Sequence, residues 1–503
     1  MGQFDLDKLL QDKKKNGMNA SFEKVKKDRE LELEMQALGL NSDEYQEFLE
    51  KRDSYRPTLY DVSLALDDHI VNEKLNRLAL FTAFVMGNIP VYVSGSSSAG
   101  KSVLMEGMMH CLMPGDILIL EGSSDKAIFD QVSQIKRAKY LIIREVNKIN
   151  PMMFEILKSL GENKPFIYRR SGGLGSKLSE IEIPPRCFVF SKADESSNIE
   201  IPAELLTRVV ELVVDSSQEQ TIQVLARKAM DHENPFEIEQ VDLVQRAMLR
   251  YYISTAPDYD LYINPMSTKL IDTIPTVFTS SRRDFSKYLR NIAACARFAY
   301  KDRIEATIQD KHVLFITPQD VFISALIFNK VLVQSSLRCS ELEKLIIQVI
   351  KNEVSLSKQQ VQSKLRTWSI NSTIKTINSH LEHLTDVGYL EASKEGNQLF
   401  YTVSSFYDEF SMKMDFREIV DYCIETMRSI DYYKSYCEEY IQRYCTDDKL
   451  FVIDPFSGKT LNMLEYQFDS PLEVNDGTRM KKVEVKEECA NKSKSSISLS
   501  DFM

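Results

Sequence analysis

Residues 95–102 read Gly-Ser-Ser-Ser-Ala-Gly-Lys-Ser and satisfy the pattern G-x-x-x-x-G-K-[ST]. No other stretch constrains the fold as strongly. The two glycines let a loop wrap so that successive backbone N–H groups face phosphate oxygens. Lys101 is then placed to pair with the β and γ phosphates, and the Ser102 hydroxyl to ligate Mg²⁺. Such a loop must leave a buried strand and open a helix. The sequence supplies both, a β-rich run at Pro90–Val93 and a helical stretch at Val103–Cys111. A serine-rich surface turn has no need of that flanking. Gly95, Ser96, Ser97, Ser98, Ala99, Gly100, Lys101 and Ser102 are therefore the candidate nucleotide-binding residues, with ATP and Mg²⁺ as expected cofactors.

Similar short apolar runs follow at Ile117–Leu120, Tyr140–Ile143, Cys187–Phe190 and Val209–Val214. Helical stretches separate several of them, and residues 58–87 read as one or two amphipathic helices. Buried strands alternating with helices mean an α/β core built on a parallel sheet. Six segments are expected: a charged helical arm at 1–55, the nucleotide-binding α/β domain at 56–215, and a helical lid at 216–337. A winged helix at 338–405, a helical segment at 406–465 and a polar, disordered tail at 466–503 complete the chain. In the arm, Leu31, Leu33, Leu38 and Leu40 are too scattered to define a core face, which suggests a solvated or partner-docking segment. The 503 residues suffice for three or four units at roughly 100–200 residues each.

Composition excludes several classes. Apolar residues are 43% and charged residues 27%, close to a globular average. The longest apolar stretch, Leu78–Val93, is broken by Asn88 and Pro90, so no membrane span is expected. Eight cysteines without a CxxC pair do not make a disulfide framework. A cytoplasmic or other reducing intracellular compartment is expected, not secretion. Cys423, Cys437 and Cys445 read as core thiols, because their spacing matches no common zinc site. The net charge of −11 argues at first against a nucleic-acid partner.

A phosphate loop needs a second strand that ends in acids. Tyr140–Ile143 is followed by Arg144 and Glu145, and Glu145 stands where a carboxylate would polarise the attacking water. The alternative is a solvated acid at a helix start. The usual metal-orienting Asp before that Glu is replaced by Arg144, which leaves the hydrolysis rate open. Lys164–Ile183 then reads as two β-prone runs around a glycine-rich turn. From Lys164 to Ser179 it holds Lys164, Arg169, Arg170 and Lys177 with no acid. Such a run suits phosphate contact, or is a solvated hairpin tip. Arg208 precedes the last core strand, a place for a finger that reaches a neighbouring subunit's γ-phosphate. Arg282 and Arg283 open a later helix, where cations oppose the helix dipole. They point to an anion partner or to a salt bridge with Asp284 or another acid.

Together these pieces resemble the minichromosome-maintenance-like branch of the AAA+ ATPases, and more closely the helicase-like ATPases found beside primases in mobile elements. The matching segments are VSGSSSAGKS, LIIREVNK, SLGENKPFIYRR, PAELLTRVVELVVDSSQEQT, SSRRDFSKYLRNIAACARF and PQDVFISALIF, in order across about residues 58–335. The resemblance implies an ATP-dependent ring, a homo-hexamer with nucleotide between subunits, acting as a DNA helicase in replication. It makes Arg208 the trans-acting finger and Arg283 the sensor arginine of the lid, with Arg282 beside it. Arg169, Arg170 and Lys177 become pore contacts to single- or double-stranded DNA. Ser191 or Lys192 would stand at the sensor position. Departures are Arg144 and the lack of the family's zinc-bearing N-terminal domain.

Residues 340–405 read as three helical stretches, Glu341–Lys351, Ser357–Leu365 and Ser372–Val387, followed by a two-strand wing. The last helix would present Ser372, Lys375, Thr376 and Ser379 outward, with Lys375 the candidate DNA contact. Docking to replication proteins, here or through the termini, is the alternative. Two other functions stay open: a nucleotide-gated factor that remodels proteins, and a DNA-binding switch with weak ATPase activity. The −11 charge is compatible with the motor, because a ring needs positive charge only in its pore.

Overall fold

The five apolar runs expected as strands do form one sheet. In the computed structural model, residues 29–468 are described apart from 30, 68, 96–98, 121–130, 145–150, 171–178, 193–200, 234–241, 275–280, 338–340, 369, 371, 387, 397 and 405–413. Strands β1 (Val91–Ser94), β2 (Ile117–Leu120), β3 (Tyr140–Ile143), β4 (Phe166–Arg170), β5 (Ser179–Ile183), β6 (Cys187–Ser191) and β7 (Val210–Val213) follow one another along the chain. β4 and β5 make a separate antiparallel hairpin. The other five form a sheet in the order β2-β3-β6-β1-β7, with every pairing parallel. All five carboxyl ends therefore lie along one edge.

Both faces of this sheet are covered, which is why its strands read as unbroken apolar runs and not as alternating ones. Tyr140, Ile142, Cys187, Val189, Val210 and Leu212 pack into one core. The intervening residues Leu141, Ile143, Phe188 and Phe190 pack into another, with Phe154, Leu157 and Leu160 of the helix Pro151–Gly161. A parallel sheet covered by helices on both faces is consistent with an α/β NTPase-like core. Residues 58–87 form two helices, Leu59–Asp67 and Lys74–Met86. The second is buried nearly all round, and its Arg77 is bound by Ser63, Asp67 and the Ile70 carbonyl.

Two features differ from the sequence reading. Leu31 and Leu33 are exposed, but Leu38 and Leu40 are buried with Tyr45 and Phe48 against Val244, Ala247 and Met248. The arm thus has a core face, whose other half lies in the helix Leu243–Ser254. The region read as helical from 216 also holds a three-stranded sheet of β8 (Leu261–Ile263), β9 (Glu305–Ile308) and β10 (Lys311–Phe315), ordered β8-β10-β9. The segment after 406 is helical at Phe416–Ser429 and Lys434–Tyr444, and its Ile419, Cys423 and Tyr440 join the first core. Cys437 and Cys445 are buried there too.

The chain divides into two compact units, 1–337 with 412–468, and 338–411 with 469–503. In the second, the helices Glu341–Glu353, Lys358–Thr367 and Ile374–Asp386 accompany β11 (Leu356–Ser357), β12 (Leu390–Glu395) and β13 (Gln398–Val403). The sheet order is β11-β13-β12, antiparallel throughout. Among the described residues, no helix is long and apolar enough to cross a membrane.

One buried ion pair makes a prediction about stability. Asp320, fully buried, accepts from Arg303 Nε at 2.9 Å and Nη2 at 2.7 Å, and from the backbone N–H and hydroxyl of Thr317 at 2.9 Å each. It therefore ties Arg303 to the start of the helix Pro318–Leu337. Asp320→Ala leaves a buried guanidinium without its counter-charge and is expected to cost about 3 kcal/mol. Denaturant unfolding monitored by circular dichroism would measure this; a loss below about 1 kcal/mol would contradict it.

Candidate functional site

The phosphate-loop motif sits at the carboxyl edge of the sheet, between β1 and a helix. Gly95 leaves β1 with φ +143° and lies 3.4 Å, measured from an added Cβ, from Val214 beyond β7. Gly100 caps the helix Lys101–Gly107 with φ +95°, a backbone region that residues with side chains avoid. That helix runs on as a 3₁₀ turn at Met108–His110 and buries Leu104, Met105 and Met108 in the core. Lys101 is 8% exposed and donates from Nζ to the Gly95 carbonyl at 2.8 Å. The ammonium thus reaches back to Gly95, and Ser102 beside it is exposed. Ser96, Ser97 and Ser98 lie outside the described residues, as does Glu145.

β3 and β6 bring Arg144 and Ser191 to the same edge. Ser191 is buried and donates its hydroxyl to the Arg144 carbonyl at 2.5 Å. The Arg144 side chain turns to the phosphate-loop helix, with Nε 2.9 Å from Glu106 Oε1. Glu106 stands one helical turn after Ser102, on the same face. Sequence reasoning passed over it, although that spacing is a usable signal. The cation at the position of the usual Asp is therefore matched by an acid from the neighbouring element.

Arg208 and Arg283 occupy the opposite edge. Arg208 lies two residues before β7, whose Val210 pairs with Val91 and whose Val213 pairs with Ser94. With about 3.3 Å per strand residue, Arg208 and Gly95 are separated by roughly 15–20 Å along the strand axis. An arginine side chain does not span that. Arg208 is 8% exposed at its side chain and bound by two acids. Its Nε donates to Glu162 Oε1 at 2.9 Å and its Nη2 to Glu204 Oε1 at 2.7 Å. Burial alone would lower its pKa, but the hydrogen bonds to Glu204 and Glu162 together outweigh burial and raise it. Glu162 is pulled down to about 2 by hydrogen bonds from Lys164 and Arg208. This pairing therefore supports the fold fully above the ordinary carboxylate range and is lost as pH falls toward 2. Gly161 allows the approach: an added Cβ there would lie 3.3 Å from Arg208 Cβ.

Arg283, in the helix Ser281–Phe298, donates from Nη1 to the hydroxyl of Thr207, the neighbour of Arg208. Arg282 is exposed. Asp284 pairs not with either arginine but with Lys287, at 2.9 Å and buried. The fold thus brings Arg208 and Arg283 together and keeps both away from the loop of their own chain.

No family model matches the sequence, and no curated protein matches it. Among solved structures, the chain is similar to the crystal structure of a "putative ATPase" from Cytophaga hutchinsonii ATCC 33406. The identity is 11%, the TM-score is 0.32, and the match covers 55% of this chain and 87% of that one. A likeness at that level does not bear on function.

The remaining candidates lie elsewhere. Arg169 is in β4, 70% exposed, with Nε 3.1 Å from Glu180 Oε2 on β5 directly opposite. Glu182 lies opposite Ile167 on the same hairpin. The run without acids is therefore answered across the ladder, a pairing that a count stopping at Ser179 does not include. Arg170 ends β4, and Lys177 lies outside the described residues. In the second unit Lys375 is exposed near the start of the helix Ile374–Asp386, with Thr376 and Ser379 also exposed.

Proposed function

We propose that the chain is an ATPase of the minichromosome-maintenance-like AAA+ type, working with Mg²⁺ as a ring, a homo-hexamer, that moves DNA through its pore. The reading rests on one observation above the others: the phosphate loop and the two arginines lie at opposite edges of one parallel sheet. A chain built this way offers a loop on one side and cations on the other. It completes a nucleotide site when one copy's Arg208 and Arg283 meet the next copy's Lys101. The motif order from residue 58 to 335 favours the same family. Residues 338–405, with three helices and the β11-β13-β12 sheet, we read as a winged helix, and 216–337 as the lid.

In this reading Lys101 and the loop amides hold the β and γ phosphates and Ser102 the Mg²⁺. Glu145 orients the attacking water, and Arg208 and Arg283 stabilise charge on the transferred phosphoryl group. Arg169, Arg170 and Lys177 grip the DNA backbone as the hairpins move. The test is steady-state ATP hydrolysis with and without single- and double-stranded DNA. Hydrolysis is expected to rise with DNA, and Arg169→Ala/Arg170→Ala/Lys177→Ala should keep ATP binding but lose that rise. Unchanged stimulation in the triple variant would remove the pore contact.

The Arg144–Glu106 pair and the acids opposite Arg169 favour a second reading, a slow nucleotide-gated factor that remodels proteins. It requires hydrolysis indifferent to DNA and stimulated by a protein client.

A further inference from the structure

A second concentration of positive charge lies at the far end of the phosphate-loop helix. His110 closes the 3₁₀ turn there, nine residues after Lys101, about 14 Å along the helical axis. Its ring stacks face to face on His69, with centroids 3.3 Å apart and planes 11° apart. Arg250, on the buried face of the helix Leu243–Ser254, is 9% exposed and donates from Nη2 to the Met109 carbonyl at 2.9 Å. Its Nε is buried with no hydrogen-bond partner. Arg246 stands one turn earlier on the same face, half-buried.

No carboxylate among the described residues forms an ion pair with Arg246 or Arg250, and the one carbonyl at Met109 is all that Arg250 holds. Burial first, then His69, Arg246 and Arg250, push the pKa of His110 down to about 4. The other arginine near Cys111, Arg77, is occupied by Asp67. Two other largely buried guanidinium groups in this fold are matched, Arg303 by Asp320 and Arg208 by Glu162, whereas Arg290, like Arg250, meets a carbonyl, that of Asn88. An unmatched buried guanidinium costs several kcal/mol, and an incoming anion removes that cost.

We propose that Arg246, Arg250, His110 and His69 form a binding site for a small phosphate-type oxyanion, separate from the nucleotide loop. The size follows from burial: a polyanion backbone needs exposed cations, whereas here Arg250 is 9% exposed and its Nε is buried. The planar guanidinium groups suit tetrahedral oxyanions, which accept from forked N–H donors. An ion bound there links the loop before Lys74, the end of the phosphate-loop helix and the helix Leu243–Ser254.

Because the nucleotide loop also takes phosphate, the experiment must separate the two. Equilibrium dialysis of radiolabelled inorganic phosphate against the full chain is expected to show two sites in the wild type. One should persist in Lys101→Ala. Adding Arg246→Gln or His110→Gln to Lys101→Ala should weaken the remaining site at least tenfold. Arg246→Gln is the primary variant because Arg250 also caps a turn and its loss can unfold the region. In the otherwise wild-type chain, Arg246→Gln alone should remove one of the two sites, a check that does not depend on how well Lys101→Ala folds. Phosphate binding confined to the loop, or a second site untouched by both substitutions, would overturn the proposal and leave Arg250 as a cap of the 3₁₀ turn.

Discussion

Lys101→Ala is expected to weaken nucleotide binding by roughly 10²–10³-fold, within the ~2–5 kcal/mol range for removing one partner of a buried, hydrogen-bonded charge pair. Lys101 is already buried, 8% exposed and bonded to the Gly95 carbonyl. In the proposed site, nucleotide binding would exchange that carbonyl for phosphate oxygens, a stronger acceptor for an ammonium. Truncation leaves the loop's glycine geometry in place, since Gly95 and Gly100 set it by backbone conformation. The protein should therefore fold while losing affinity. Fluorescent-nucleotide titration would measure the effect, with unfolding curves as the control. A change below about threefold, with the fold intact, would mean that these residues do not hold phosphate.

The parts of the fold that were legible share one property: their burial is decided locally. Val91–Val93, Tyr140–Ile143 and Cys187–Phe190 are apolar on both faces, so no register had to be known to recognise them. Gly95 and Gly100 announce the loop for the same reason, because their backbone conformations are set within the motif itself. What escaped depends on distant partners. Leu38 and Leu40 find their core in Val244 and Met248, far along the chain. The sheet β8-β10-β9 joins three short strands, and its Leu261 is exposed, so no clear apolar run marks it. The ion pairs were the hardest to foresee. Glu106 meets Arg144 only because β3 ends beside the phosphate-loop helix, and Glu180 meets Arg169 only through the β4–β5 register. Each changes the chemistry read from the cation alone.

Arg208→Ala should leave ATP binding within about threefold of the wild type and lower the hydrolysis rate by roughly 10³-fold, the low end for loss of an arginine finger. The resting structure explains why binding is spared: Arg208 is held by Glu162 and Glu204, away from the loop of its own chain. In the proposed ring it would exchange those carboxylates for a neighbour's phosphate, so a second copy would be required. Mixing two dead variants tests this directly. Lys101→Ala chains keep an intact Arg208, and Arg208→Ala chains keep an intact loop. In a randomly assembled ring, about a quarter of the interfaces would join an intact loop to an intact arginine, and hydrolysis should recover to about that fraction. Recovery cannot occur if each chain hydrolyses ATP with its own arginine. An equimolar mixture, co-refolded to exchange subunits, that stays as inactive as its components would exclude the shared site.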